Sequence, residues 1–299
     1  MKKLTTVCVN NIFKCFGNKE VLKGINIVFE EGKVYGLFGK NGAGKSTLLK
    51  IILGLLFPTQ GSVSVFGKNP RDGGLKEVSY LSENLAGYFD LNAYDNIDII
   101  AKMQGIKLRK EEIFKILESV NLKEVASKKV KDFSLGMKRR LQLAFAFCIG
   151  DKKLFILDEP TNGLDIEGVF WFKEKIKEMK EKKDKTIIIS THAFEELENV
   201  IDEFIIIHKG EIKKKSDVCD LEIKNKKFVK VSNKDTEKFT KLVDLLKLNY
   251  TRVANTEFIV EENEKINFLE QVVKNGIELQ RFETYRETIK SVFKAVTKE

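Results

Sequence analysis

The 299-residue chain is poor in the residues that staple or metallate a fold. Its 4 cysteines, Cys8, Cys15, Cys148 and Cys219, form no CxxC pair, which argues against a disulfide framework or a zinc site and fits a reducing compartment. Only 2 histidines weaken a metal centre further. With 3 prolines and 20 glycines, collagen-like and low-complexity architectures are excluded. Long apolar runs are missing too: residues 51–57 and 141–149 are the longest, and Gly54 and Gln142 interrupt them. A membrane-spanning helix needs about 18 consecutive apolar residues, so none is expected. No apolar stretch follows Met1-Lys2-Lys3, so no secretion signal is expected.

What is present is a globular composition, 42% hydrophobic and 32% charged, which excludes intrinsic disorder. The length suits two domains, or one large domain with an appendage. Net charge is +9, from 53 basic and 44 acidic residues. Such a balance could attract nucleic acid or anionic lipid. The alternative, favoured because acids are interspersed throughout, is a lysine-rich soluble surface. Tight basic clusters are short: Lys138-Arg139-Arg140, Lys213-Lys214-Lys215 and residues 224–227.

Along the chain, residues 4–29 alternate and are rich in Val, Ile and Phe around Gly17-Asn18, which predicts two strands. Residues 33–38 predict a short apolar strand leading into a glycine-rich loop, and residues 48–56 a helix ending before Pro58. Strands are expected at 62–66, 78–81, 154–157, 186–190 and 204–208. Helices are expected within 93–125, with breaks near Gly105 and Asn121, and at 134–149, 166–182 and 194–200. This alternation predicts an α/β fold with a mostly parallel sheet. Near residues 213–217 the character changes, and the remainder reads as β-α-β-β-α-β closed by a helix over 284–296.

Three motifs carry chemistry. The first is Gly39-Lys40-Asn41-Gly42-Ala43-Gly44-Lys45-Ser46-Thr47. Glycines at this spacing let successive N–H groups turn inward around phosphate oxygens, and the following helix aims its positive end at the same anion. Lys45 reaches the β- and γ-phosphates, and Ser46 offers a hydroxyl to Mg²⁺. The second is Leu154-Phe155-Ile156-Leu157-Asp158-Glu159, an apolar strand ending in two carboxylates. In a parallel sheet the carboxyl edge meets the ligand, so Asp158 can hold Mg²⁺ through water and Glu159 can polarise the attacking water. The third is Phe133-Ser134-Leu135-Gly136-Met137, a turn opening a helix, which can bind an anion or merely cap the helix.

Together with Gly163-Leu164-Asp165 and Ser190-Thr191-His192, these motifs resemble, in order, those of ABC transporter nucleotide-binding subunits, over roughly residues 4–215. The resemblance implies an ABC ATPase domain over 1–215, whose mostly parallel sheet also carries antiparallel strands. It further implies a helical subdomain over about 84–150 and an accessory α/β domain over 216–299. It implies ATP and Mg²⁺ as cofactors. By the same resemblance, Phe16 stacks on adenine, residues 39–47 hold the phosphates, and Asp158 and Glu159 serve metal and water. Glu83 stands where the family usually has Gln, at the position that senses metal and water. Ser134 and Gly136 contact ATP held by a second subunit, Asp165 crosses the dimer interface, and His192 touches the γ-phosphate. The family's Leu-Ser-Gly-Gly-Gln is here Phe-Ser-Leu-Gly-Met; the Ser and the second Gly are kept and the Gln is lost. Ser-Leu-Gly-Met followed by Lys-Arg-Arg-Leu resembles the bacitracin-resistance and lantibiotic-immunity branch of exporters.

These implications describe a motor. A homodimer would close on two ATP molecules at the cytoplasmic face of the membrane and drive a separate membrane-spanning subunit through the loop at residues 83–95, with no nucleic acid as partner. The alternative is a soluble ABC ATPase acting on ribosomes or nucleic acid. Against it, the chain carries one cassette, and no sustained heptad run separates Ser46 from Ser134.

Overall fold

The computed structural model describes residues 4–223, 228–252, 254–261, 267–285 and 288–297. The chain begins with a hairpin, β1 (Thr5–Phe16) and β2 (Lys19–Glu30), followed by β3 (Val34–Phe38), α1 (Lys45–Ile52), β4 (Gln60–Val65) and β5 (Val78–Leu81). Three helices follow: α2 (Ala93–Met103), α3 (Lys110–Ser119) and α4 (Leu135–Cys148). Strands and helices then alternate through β6 (Leu154–Asp158), α5 (Ile166–Lys182), β7 (Thr186–Thr191), α6 (Phe194–Leu197) and β8 (Glu203–His208), to β9 (Glu211–Asp217).

Six strands form the main sheet, in the order β5-β6-β7-β3-β8-β9. Its first five strands are mutually parallel and β9 is antiparallel. Strands β3, β6, β7 and β8 are buried along their whole length, as expected of a parallel sheet covered on both faces, which is why they read as unbroken apolar runs. The hairpin and β4 make a separate antiparallel sheet, β2-β1-β4, which shares a core with α1. The helices α2 to α4 enclose a second core, built on Ile97, Ile113, Leu117 and Leu141.

Several expectations are corrected. The helix expected over 48–56 begins three residues earlier, at Lys45, because the phosphate loop feeds straight into it. It stops at Ile52 rather than at Pro58: Gly54 N–H donates to the Ile51 carbonyl at 2.9 Å and closes the last turn. The helix expected over 194–200 is a single turn, Phe194–Leu197. The lysine cluster 213–215, read as a change of character, is the edge strand β9. There Lys215 pairs with Glu203 at 3.1 Å and Lys213 with Glu211, charges that suit an exposed sheet edge. The cluster at 224–227 lies outside the described residues.

Val218–Val292 form a unit of their own, while Phe293–Glu299 group with Met1–Asp217. After α7 (Val218–Ile223) come β10 (Phe228–Ser232), α8 (Thr236–Leu245), β11 (Tyr250–Arg252), β12 (Glu257–Glu261), α9 (Phe268–Lys274), β13 (Arg281–Tyr285) and α10 (Ile289–Thr297). The antiparallel sheet order β11-β12-β10-β13 is that of a split β-α-β-β-α-β unit. Its core gathers Val231, Phe239, Phe258, Val260 and Phe268. The last strand runs Arg281–Tyr285, so the helix expected over 284–296 starts later, at Ile289. Ile277 closes α9, its N–H donating to the Val272 carbonyl at 3.1 Å. Within the first unit, Phe293 packs on Phe194, with ring centroids 4.9 Å apart.

Candidate active site

Register brings the motifs together. Phe38 sits opposite Thr191 and Asp158 opposite Ser190 on neighbouring parallel strands. The next residues, Gly39, Glu159 and His192, therefore all emerge at one carboxyl edge of the sheet. That edge is where open α/β sheets bind ligands.

The loop after β3 is shaped by its glycines. At Gly39 a Cβ would lie 2.5 Å from the Ile207 carbonyl oxygen, so no larger residue fits under the neighbouring strand. Gly44, which caps α1, has φ of +109°, a conformation that L side chains rarely adopt. Lys45 is 4% exposed and folds back over the loop, donating to the Gly39 carbonyl at 2.6 Å. Its Nζ lies 3.2 Å from Glu159 Oε1.

Asp158 sits between two hydroxyls. Ser46 Oγ donates to its Oδ1 at 3.2 Å, and Ser190 Oγ donates to the same oxygen. Glu159 is 3% exposed and carries a φ of +48°, costing of order 1–3 kcal/mol for a residue with a side chain. Its backbone is held in that shape: its N–H donates to the Ser190 carbonyl at 3.0 Å, and Arg139 Nη2 donates to its carbonyl. The carboxylate spans the cleft, with Oε1 on Lys45 and Oε2 at 3.0 Å from His192 Nδ1. One cluster thus unites Lys45, Ser46, Asp158, Glu159 and His192.

Sequence reading missed Arg139, which it placed in a surface basic cluster. Arg139 is 1% exposed, the bulkiest of the fully buried side chains. Its guanidinium donates to the carbonyls of Ser82 (2.8 Å), Glu83 (3.3 Å), Pro160 (3.3 Å) and Asp158 (3.4 Å), besides Glu159, and to Gln142 Oε1 (3.0 Å). Burial pulls its pKa down, and the charges of Glu83, Asp158 and Glu159 oppose that shift. A fork of five N–H donors suits a nest of carbonyls that a lysine could not fill. The one available signal was the helical spacing of Arg139 with Gln142, both buried on α4.

The other candidates lie apart from this cluster. Ser134 is the N-cap of α4, its Oγ accepting from Met137 N–H at 3.2 Å. A Cβ on Gly136 would lie 3.4 Å from the Gly163 carbonyl. Asp165 caps α5 by accepting from Gly168 N–H at 2.9 Å, and Arg140 Nη2 grips both its oxygens at 2.7 and 2.8 Å. Arg140 foremost, and then that N–H, hold the Asp165 carboxyl below the usual aspartate range. Phe16 ends β1 half exposed, with Lys14 Nζ 4.8 Å from its ring centroid. Glu83 touches Arg139 only through its carbonyl, and the residue is exposed.

Compared with known proteins, residues 22–162 match the family model described as ABC transporter. The bacitracin transport ATP-binding protein BcrA of Enterococcus faecalis is 31% identical over 95% of this chain and 93% of its own length. The chain belongs to the ABC transporter ATP-binding family. A lantibiotic transport ATP-binding protein, SrtF of Streptococcus pyogenes, is 39% identical over 68% of this chain and 87% of its own. A solved ATP-binding subunit of an ABC transporter superposes with a TM-score of 0.65 at 30% identity, over 73% of this chain and 92% of that one. A dimeric ATP-binding cassette in a post-hydrolysis state, bound to ADP and phosphate, shares the fold with a TM-score of 0.64 at 23% identity, over 71% of this chain and 98% of that one. The ABC subunit described here binds ATP and is an ATPase. Among its described residues, no helix is long and apolar enough to cross a membrane.

Proposed function

We propose that this ABC subunit powers export of a peptide antibiotic, or of a similar envelope-active drug or component, through a separate membrane-spanning partner. The supporting observation is extent. Similarity to the bacitracin transport protein covers 95% of the chain, so it takes in the C-terminal unit as well as the cassette. On this reading the subunit lies at the cytoplasmic face of the membrane, with residues 83–95 meeting the partner.

The hydrolytic step follows from the clustered side chains. Lys45 and the amides of residues 39–47 take the triphosphate charge, while Phe16 offers its exposed ring to adenine. Among the described residues no group of three or more His, Cys, Asp or Glu gathers to cage a metal. The Ser46 hydroxyl and the Asp158 carboxylate are hard oxygen donors, a set that suits an ion retaining its waters and resting on phosphate. Ser46 and Asp158 would hold Mg²⁺, with Glu83 near them, and the ion would neutralise charge on the β- and γ-oxygens. Glu159 takes a proton from water as the oxygen attacks the γ-phosphorus and the bond to ADP breaks; His192, already on the same carboxylate, orients that pair. Ser134 and Gly136 cap a bare helix start, and on this reading they serve ATP held by a second copy. Asp165 would lie where the two copies meet.

A tagged Glu159→Gln protein, captured from native cells with ATP in mild detergent and examined by mass spectrometry, tests the reading. A polytopic membrane protein is expected in the eluate. Ribosomal proteins or nucleic acid in its place would overturn the proposal.

A further inference from the structure

His192 stands one residue beyond β7, and its Nδ1 lies 3.0 Å from the Glu159 carboxylate. The imidazole is 46% exposed at the side chain, so its place depends heavily on the backbone that carries it. Upstream, Thr191 is tied into the sheet opposite Phe38, and its Oγ1 accepts from Ala193 N–H at 2.9 Å. Downstream, the chain enters α6, a single turn with no side-chain cap. One turn of helix cannot sustain itself, because a helical nucleus fixes several residues for one hydrogen bond. The position of α6, and of the His192 backbone just before it, is therefore set by what its side chains meet.

Phe194, the first residue of α6, meets two rings. It stacks on Phe38, with centroids 5.2 Å apart and planes within 11°. Phe38 is fully buried and seated against backbone: a Cβ on Gly36 would fall 2.4 Å from its Cε2. The second ring is Phe293, from the far end of the chain, 4.9 Å away and tilted by 56°. Phe293 is 4% exposed and belongs with the first unit. It also meets the buried His208 edge-on, at 6.4 Å, where β8 ends. Both separations are those at which aromatic rings attract. Strand β8 lies beside β3, so Phe293 links Phe194 to the framework of the main sheet. The cassette expected over 1–215 does not contain this ring.

We propose that Phe293 is a positioning residue for ATP hydrolysis: it fixes Phe194, and through α6 the His192 backbone, so that the imidazole stays on the Glu159 carboxylate. The inference rests on the site reading above, in which His192 orients the base and its water. Residues 39–47 keep their own supports, so loss of Phe293 lowers turnover and spares ATP affinity. The end of the chain thereby serves the catalytic domain, and a cassette cut at residue 215 is incomplete.

The test is a double-mutant cycle on the full chain, with single-turnover phosphate release read per ATP bound at saturation, so that unfolded protein drops out. Phe293→Ala should lower the rate about tenfold, with the ATP dissociation constant within about threefold of wild type. His192→Ala should lower the rate at least as far, and adding Phe293→Ala to it should lower the rate no further. A ring that merely packs the core would multiply the two losses. Phe293→Leu keeps most of the volume and should lower the rate about threefold; it decides if Phe293→Ala does not fold. A wild-type rate in every folded Phe293 variant, ATP affinity lost in step with the rate, or a Phe293 loss that persists in full without His192 would overturn this proposal alone. A wild-type rate in His192→Ala would overturn the site reading and this proposal with it.

Discussion

Lys45 and Glu159 face each other across the nucleotide cleft, 3.2 Å apart and both 4% exposed at the side chain. The cation we assign to phosphate binding and the carboxylate we assign to water activation are thus each other's counter-ions. Buried charges survive only when paired, so each group holds the other in place. On the proposed function, triphosphate drawn to Lys45 would compete for that partner and leave the carboxylate to act on water.

The pair makes Glu159→Gln informative. The amide keeps the shape but cannot take a proton, so turnover should fall about 10²- to 10⁴-fold while ATP remains bound. Phosphate release together with ATP titration measures both. Release within about threefold of wild type would refute the assignment of Glu159 as base.

Arg139→Leu should destabilise the fold by about 3 kcal/mol or more. It strips the donor from carbonyls of Ser82, Glu83, Asp158, Glu159 and Pro160, the last three of them in buried residues. Arg139→Lys should recover only part of the loss, because an ammonium cannot fork. Urea denaturation of the three proteins is the check. Unchanged midpoints would show that the guanidinium holds nothing together.

Gly39→Ala introduces a Cβ that would lie 2.5 Å from the backbone oxygen of Ile207, which cannot swing aside as a side chain could. The expected cost is about 1–3 kcal/mol, accompanied by weaker ATP binding as the loop shifts. Wild-type affinity in calorimetry would mean that the loop tolerates the displacement.

Asp165→Asn tests the Arg140 contact through pH. Asparagine can still cap α5, so only the charge is removed. The wild-type carboxyl titrates below the usual aspartate range in the folded state. A depressed pKa contributes stability above the unfolded-state value of about 3.9, and the contribution vanishes as pH falls through the folded-state value. Wild type should therefore exceed the variant at pH 7, with the margin shrinking toward pH 3 or so; the Asp165 side chain is 61% exposed, so screening keeps it small. A margin independent of pH in urea melts would exclude the charge as its cause.

How much was legible depended on sequence distance. The phosphate loop, the strand ending in Asp158-Glu159 and the Ser134 cap are contiguous, and each carries its chemistry in local backbone geometry and residue type. For the same reason β5 and α5 fall at their expected residues, 78–81 and 166–182. Strand β9 escaped because lysines at a sheet edge look like a solvated linker.

The sequence by itself carried the phosphate loop and the apolar strand ending in two carboxylates, on which the proposed site rests. Tertiary structure alone decided which charges are buried. Arg139 meets Ser82 across 57 positions of chain, and Lys45 meets Glu159 only because β3 and β6 flank β7. Burial of a charge depends on which distant carbonyls and carboxylates the fold brings within hydrogen-bond reach, and a linear pattern of basic residues does not encode that.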